Sequence, residues 1–142
     1  MPTLPWTTPN PATPDTRAFV MASRFEVRSA KDVPRFFLKS LAAWRQVRSA
    51  PGALGASLIA QPLKRTFFTL SAWEGRDALY AFAGTEPHRS IMSVLRPTMR
   101  SSNFTFWELP VEELPISWET AKQHLAEQAR LDAATATGTT DR

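Results

Sequence analysis

The chain contains no cysteine among its 142 residues. That excludes disulfides, thiolate nucleophiles and Cys-ligated zinc or iron–sulfur sites. No apolar run reaches the roughly 18 residues of a membrane span. The first residues carry no basic segment followed by an apolar one, so no secretory signal is expected and a cytoplasmic location follows. Glycine is sparse: Gly52, Gly55, Gly75, Gly84 and Gly138 form neither GxGxxG nor a phosphate loop, which argues against a doubly wound nucleotide site. Only two histidines occur, His88 and His124, too few for a multi-His metal centre in one chain. No nucleophile-elbow sequence marks a serine hydrolase.

What is present is an ordinary globular composition, 43% hydrophobic and 21% charged, consistent with one domain. The charge is unevenly spread: −1 over residues 1–16, +9 over 17–100 and −4 over 101–142. A basic centre of this kind could attract an anionic partner. No RNP sequence, GXXG loop or zinc finger accompanies it, so no nucleic-acid partner is expected and a solvated basic surface is the plainer reading.

Five prolines in residues 1–16 predict an extended arm outside helix and sheet, with Trp6 as its anchor. Residues 17–28 alternate as a first strand, and Arg24 interrupts one of its faces as either a surface group or an anion contact. A helix follows from Asp32 to about Ser49, closed by Pro51-Gly52. Residues 53–61 and 66–73 read as an antiparallel hairpin. A broken helix spans Arg76 to Pro97, its second part opened by Thr85 as N-cap with Glu86 and Pro87 in the first turn. A fourth strand covers 102–108. Prolines at 110 and 115 lead to a last helix from about Ser117 to Asp132, a helical extension over 110–133, and residues 134–142 read as a disordered tail.

The order β-α-β-β-α-β defines a ferredoxin-like α+β domain over residues 17–109, an antiparallel sheet with two helices on one face. Both faces of its strands are apolar. With only two domain helices counted, a second subunit is expected to cover the other face, giving a sheet-to-sheet homodimer.

On the second helix His88, Ile91, Met92 and Leu95 fall at i, i+3, i+4 and i+7, one face. His88 is thus either a packed, positional group or a functional one, and its helix-start position favours the neutral imidazole. Trp73 closes the third strand on the parity of Ser71, and Trp107 lies on the fourth on the parity of Asn103. If those parities face the helices, an aromatic cavity with hydroxyl and amide handles results, suited to a flat, mostly apolar ligand.

The segments PGALGASLIAQP, TFFTLSAWEGRDALYAF and EPHRSIM, followed by a strand with Trp107-Glu108, resemble the dimeric α+β barrel superfamily. That group includes antibiotic-biosynthesis monooxygenase-like proteins and haem-degrading monooxygenases. The Ser-x-Trp of the hairpin and the His88 segment are also similar to spheroidene monooxygenases and to uncharacterised DUF3291-type proteins. The resemblance spans about residues 17–109. It implies a homodimeric barrel and oxygenation of an aromatic or polycyclic substrate, either without cofactor or with haem. His88 would be the base or, if haem binds, its ligand. Trp73, Ser71, Met92, Trp107 and Arg24 would contact substrate. A haem- or ligand-binding module without catalysis, and a cyclase or isomerase on the same scaffold, are the competing readings.

Overall fold

A computed structural model describes the backbone of residues 3–11 and 13–140 and the side chains of residues 6–11 and 13–135. Five strands form one antiparallel sheet: β1 (Thr3–Thr7), β2 (Arg17–Val27), β3 (Ala53–Gln61), β4 (Thr66–Trp73) and β5 (Met99–Pro110), in the spatial order β1-β3-β4-β2-β5. The last four carry the expected ferredoxin-like connectivity. Helices α1 (Val33–Val47), α2 (Arg76–Ala83) and α3 (His88–Leu95) lie on one face, and α4 (Trp118–Thr140) on the other.

The strands form because their residues suit a surface covered on both sides. All nine positions of β3 are buried, and so are seven of the eight in β4. On the α1–α3 side, Phe19, Phe25, Phe67 and Trp73 meet Phe36, Val47, Leu79, Ile91 and Leu95. On the other side, Val20, Ala22, Ile59, Phe68 and Leu70 meet Ile116, Ala121 and Leu125, with Trp6 and Trp118 packed at the margin. The helix α4 opens as expected at Ser117, whose Oγ accepts the Thr120 N–H at 3.1 Å.

That second layer corrects the sequence reading. The face assigned to a partner subunit is covered by this chain's own α4 and Trp6, because the appended helix has enough apolar surface to dock.

Three further expectations change. Residues 3–7 of the proline-rich arm do join the sheet, as edge strand β1 beside β3, where a proline is tolerated because one side of the strand needs no ladder bonds. Residues 1, 2 and 12 of that arm lie outside the described residues. Trp6 is an anchor as expected, and a glycine permits it: a Cβ at Gly55 would overlap the Trp6 indole. The tail expected to be disordered continues α4 as far as Thr140, although four threonines and Gly138 among residues 134–140 are poor helix formers, and residues 141 and 142 lie outside the described residues. Thr85 does not start α3. Its hydroxyl donates to the Ala81 carbonyl at 2.6 Å and finishes α2 instead.

Candidate functional site

A cavity of about 460 Å³ lies between the sheet and α1–α3. Its floor comes from alternate residues of four strands, β2 to β5. The register pairs Met21 with Ser71, Ser23 with Thr69, and Ser23 with Phe104, so these side chains share the helix-facing side. Its roof includes Ser40, Ala43 and Trp44 of α1, Phe82 of α2, and His88 and Met92 of α3. The walls are mostly apolar, with Ser23, Ser40, Thr69 and Ser71 among the hydroxyl handles.

His88 is held from two directions. Its backbone N–H donates to Gln46 Oε1 at 2.8 Å, so α1 satisfies an amide that the helix start leaves free. Gln46 Nε2 in turn donates to the carbonyls of Phe82 and Thr85, each at 3.4 Å. The His88 ring lies 3.2 Å, through Nδ1, from the Ala83 carbonyl. A carbonyl can only accept, so the proton of the neutral ring sits on Nδ1 and Nε2 keeps its lone pair. Phe82 packs against the same ring with centroids 4.8 Å apart.

The neutral imidazole expected from the sequence is favoured, but by another cause. Burial disfavours the cation and lowers the His88 pKa from its ordinary 6.5, opposed by the bond to Ala83.

The sequence-derived site residues divide into two groups. Ser71, Met92 and His88 line the cavity together. Trp73 lies just behind it: fully buried, it donates from Nε1 to Ser71 Oγ at 2.9 Å and packs on Phe82 with centroids 5.1 Å apart. Trp107 and Arg24 are corrections, because strand alternation sends both to the α4 side of the sheet. Trp107 stacks on His124 at 3.8 Å between centroids, and Arg24 pairs with Glu26 at 3.8 Å, with its side chain 39% exposed. Asn103 goes the same way and donates to the Leu125 carbonyl at 3.0 Å.

Sequence reasoning did not single out Ser23, Ser40 or Gln46. Ser23 shares parity with Phe19, Met21 and Phe25, which could have identified it. Gln46 had no local signal, since its partners are 36 to 42 residues away. No group of three or more His, Cys, Asp or Glu side chains able to hold a metal ion occurs among the described residues.

No protein-family model and no curated protein sequence matches the chain. Solved structures do resemble it. A Nitrosomonas europaea protein assigned as an antibiotic biosynthesis monooxygenase aligns with a TM-score of 0.61 at 13% identity, over 70% of this chain and 94% of its own. A variant of SnoaB, a cofactor-independent oxygenase from Streptomyces nogalater, aligns with a TM-score of 0.56 at 17% identity, over 70% and 98%. A Caulobacter crescentus protein with the same assignment as the first aligns with a TM-score of 0.56 at 18% identity, over 67% and 90%. At such identities the likeness is one of fold: the chain has the ferredoxin-like α+β fold of the antibiotic biosynthesis monooxygenases. These structures do not bear on the expected similarity to spheroidene monooxygenases or to the uncharacterised group.

Proposed function

We propose that this protein is a small-molecule oxygenase of the antibiotic-biosynthesis monooxygenase type, acting on an aromatic or polycyclic substrate with His88 as the base. One observation carries the reading: the bond from Nδ1 to Ala83 leaves His88 Nε2 as a free acceptor beside an apolar cavity. A base needs to be neutral at working pH, and burial favours that form. The fold likeness to SnoaB, described as a cofactor-independent oxygenase, agrees with this chemistry.

In this reaction Nε2 takes a proton from an activated CH₂ flanked by aryl or carbonyl groups. The resulting carbanion combines with O₂. Cleavage of the O–O bond leaves one oxygen on carbon as a carbonyl and releases the other as water, with both hydrogens of the CH₂. The substrate provides the electrons, so no external reductant enters. Ser71 and the neighbouring Ser23 and Thr69 orient substrate oxygens, Met92 covers the ring system, and Trp73 fixes the Ser71 hydroxyl.

Oxygen uptake with a panel of polycyclic phenolic ketones tests the proposal. Turnover that is lost in His88→Ala supports it, and turnover unchanged in that variant removes His88 from the mechanism. A non-catalytic haem-binding module is the second reading, favoured by the same free Nε2, since a neutral imidazole nitrogen facing an apolar cavity fits a haem iron. A bound haem would supply redox chemistry at that position. Titration with haemin separates the two, because haem held by His88 would give a Soret shift that His88→Ala abolishes.

A further inference from the structure

The cavity is charged with one sign only. Arg89 and Arg96 line it beside His88, and no Asp or Glu does. Among the described residues neither arginine has an ion-pair partner, although Glu26 and Glu127 hold Arg24, Arg100 and Arg130. Arg89 lies in the first turn of α3 and Arg96 directly follows its last residue, seven residues and about 10 Å further along the same axis.

Across the same cavity stand Phe104 and Phe106 of the edge strand β5. They point to the helix side but lie beyond the cover of α1–α3, so they are 39% and 46% exposed. Each is backed by another ring. Phe106 stacks on Phe19 at 5.7 Å and 22°, and Phe104 meets Phe25 edge-on at 5.4 Å. The open side of the cavity therefore has an aromatic floor and a cationic rim. Guanidinium groups bordering apolar walls, with no protein carboxylate to answer them, favour an anion that brings its own ring system.

We infer that the ligand of this cavity is an aromatic or polycyclic acid, its flat body on Phe104 and Phe106 and its carboxylate held by Arg96. The inference rests on the cavity being the ligand site, as proposed above, but not on the reaction carried out there. Arg96 is eight residues from His88, about 12 Å along the helix, so a carboxylate at one end of a fused-ring body leaves the other end beside Nε2.

Two fluorescent probes with the same rings test this: 1-anilinonaphthalene-8-sulfonate, an anion, and the neutral N-phenyl-1-naphthylamine. At low salt the anion is expected to bind about tenfold more tightly, the scale of one charge-assisted hydrogen bond. Arg96→Gln should remove most of that preference while leaving the neutral probe unaffected, and Arg96→Lys should keep part of it. A second measurement needs no variant: anthracene-2-carboxylate should displace the neutral probe at lower concentration than anthracene-2-methanol does. Equal binding of the two probes, equal displacement by acid and alcohol, or a preference that survives in the Arg89→Gln/Arg96→Gln double variant would overturn the inference. Oxygen uptake is read separately. A charge preference without turnover sinks the oxygenase and leaves the acid, whereas turnover of neutral ketones without charge preference does the reverse.

Discussion

Nδ1 of His88 lies 3.2 Å from the carbonyl oxygen of Ala83, five residues earlier in the chain. That contact ties the first ring of α3 to the last turn of α2 and decides which nitrogen carries the proton. The helix break between the two helices thus has a chemical consequence. It turns an imidazole that packing alone would leave free to rotate into one with a fixed tautomer, and the free nitrogen is the one a base requires.

Replacing His88 by Ala or Gln is expected to lower oxygen uptake by about 10²–10⁴-fold, the usual range for a general base. The fold should survive, because His88 is only half-buried and sits at a helix start. Circular dichroism checks the fold and an oxygen electrode checks the rate.

Activity should rise with pH along a limb whose midpoint falls below 6.5, since burial lowers the His88 pKa and the neutral form is the active one. Stability follows the same sign. Between the lowered folded pKa and the ordinary 6.5 the unfolded chain binds more protons than the native one. The contribution of neutral His88 is complete above about pH 6.5 and is lost as pH falls through that window. Denaturant midpoints of the wild type should therefore drop more steeply over that window than those of His88→Gln.

Gln46 positions His88 without touching substrate in the proposed scheme. Gln46→Ala removes the acceptor of the His88 N–H and both donors to the α2–α3 junction. We expect turnover to fall about tenfold, with a smaller change in KM, on the scale of one lost hydrogen bond. NMR titration of the His88 ring should show an altered pKa in the same variant, which a purely structural weakening elsewhere would not give.

Gly55→Ala should destabilise the chain by about 1–3 kcal/mol, because the new methyl overlaps the Trp6 indole and must push it off the sheet. The double variant with Trp6→Ala should recover part of that loss. Chemical denaturation of the four members of this cycle measures the coupling.

The apolar sheet face beneath α4 should emerge as an association surface once the helix is removed. Ending the chain at residue 110 uncovers Val20, Ala22, Phe68 and Leu70, which α4 and its lead-in cover through Ile116, Ala121 and Leu125. Size-exclusion chromatography should give the shortened chain as a larger assembly than the full chain, up to aggregates. The milder Leu125→Ala should cost about 2–5 kcal/mol by leaving a cavity in that layer.

Local pattern determined much of this protein. The alternation in residues 17–27, the hairpin at 53–73 and the apolar period of 88–95 each depend on neighbours a few residues away, so the order of strands and helices from residue 17 on was legible. So were His88, Ser71 and Met92 as cavity residues, because their elements fix which way they point relative to nearby apolar groups. Tertiary structure alone decided the rest. Nothing local tells which parity of β5 faces α1–α3, because both carry aromatic residues, and so Trp107 was expected on the side that Phe104 and Phe106 take. Nor does a thin apolar stripe on α4 announce what it will cover; only the packed chain shows that it fills the face a partner was expected to take. The proton on Nδ1 was equally out of reach, since it depends on the angle at which α2 hands over to α3, set by Gln46 from 42 residues away.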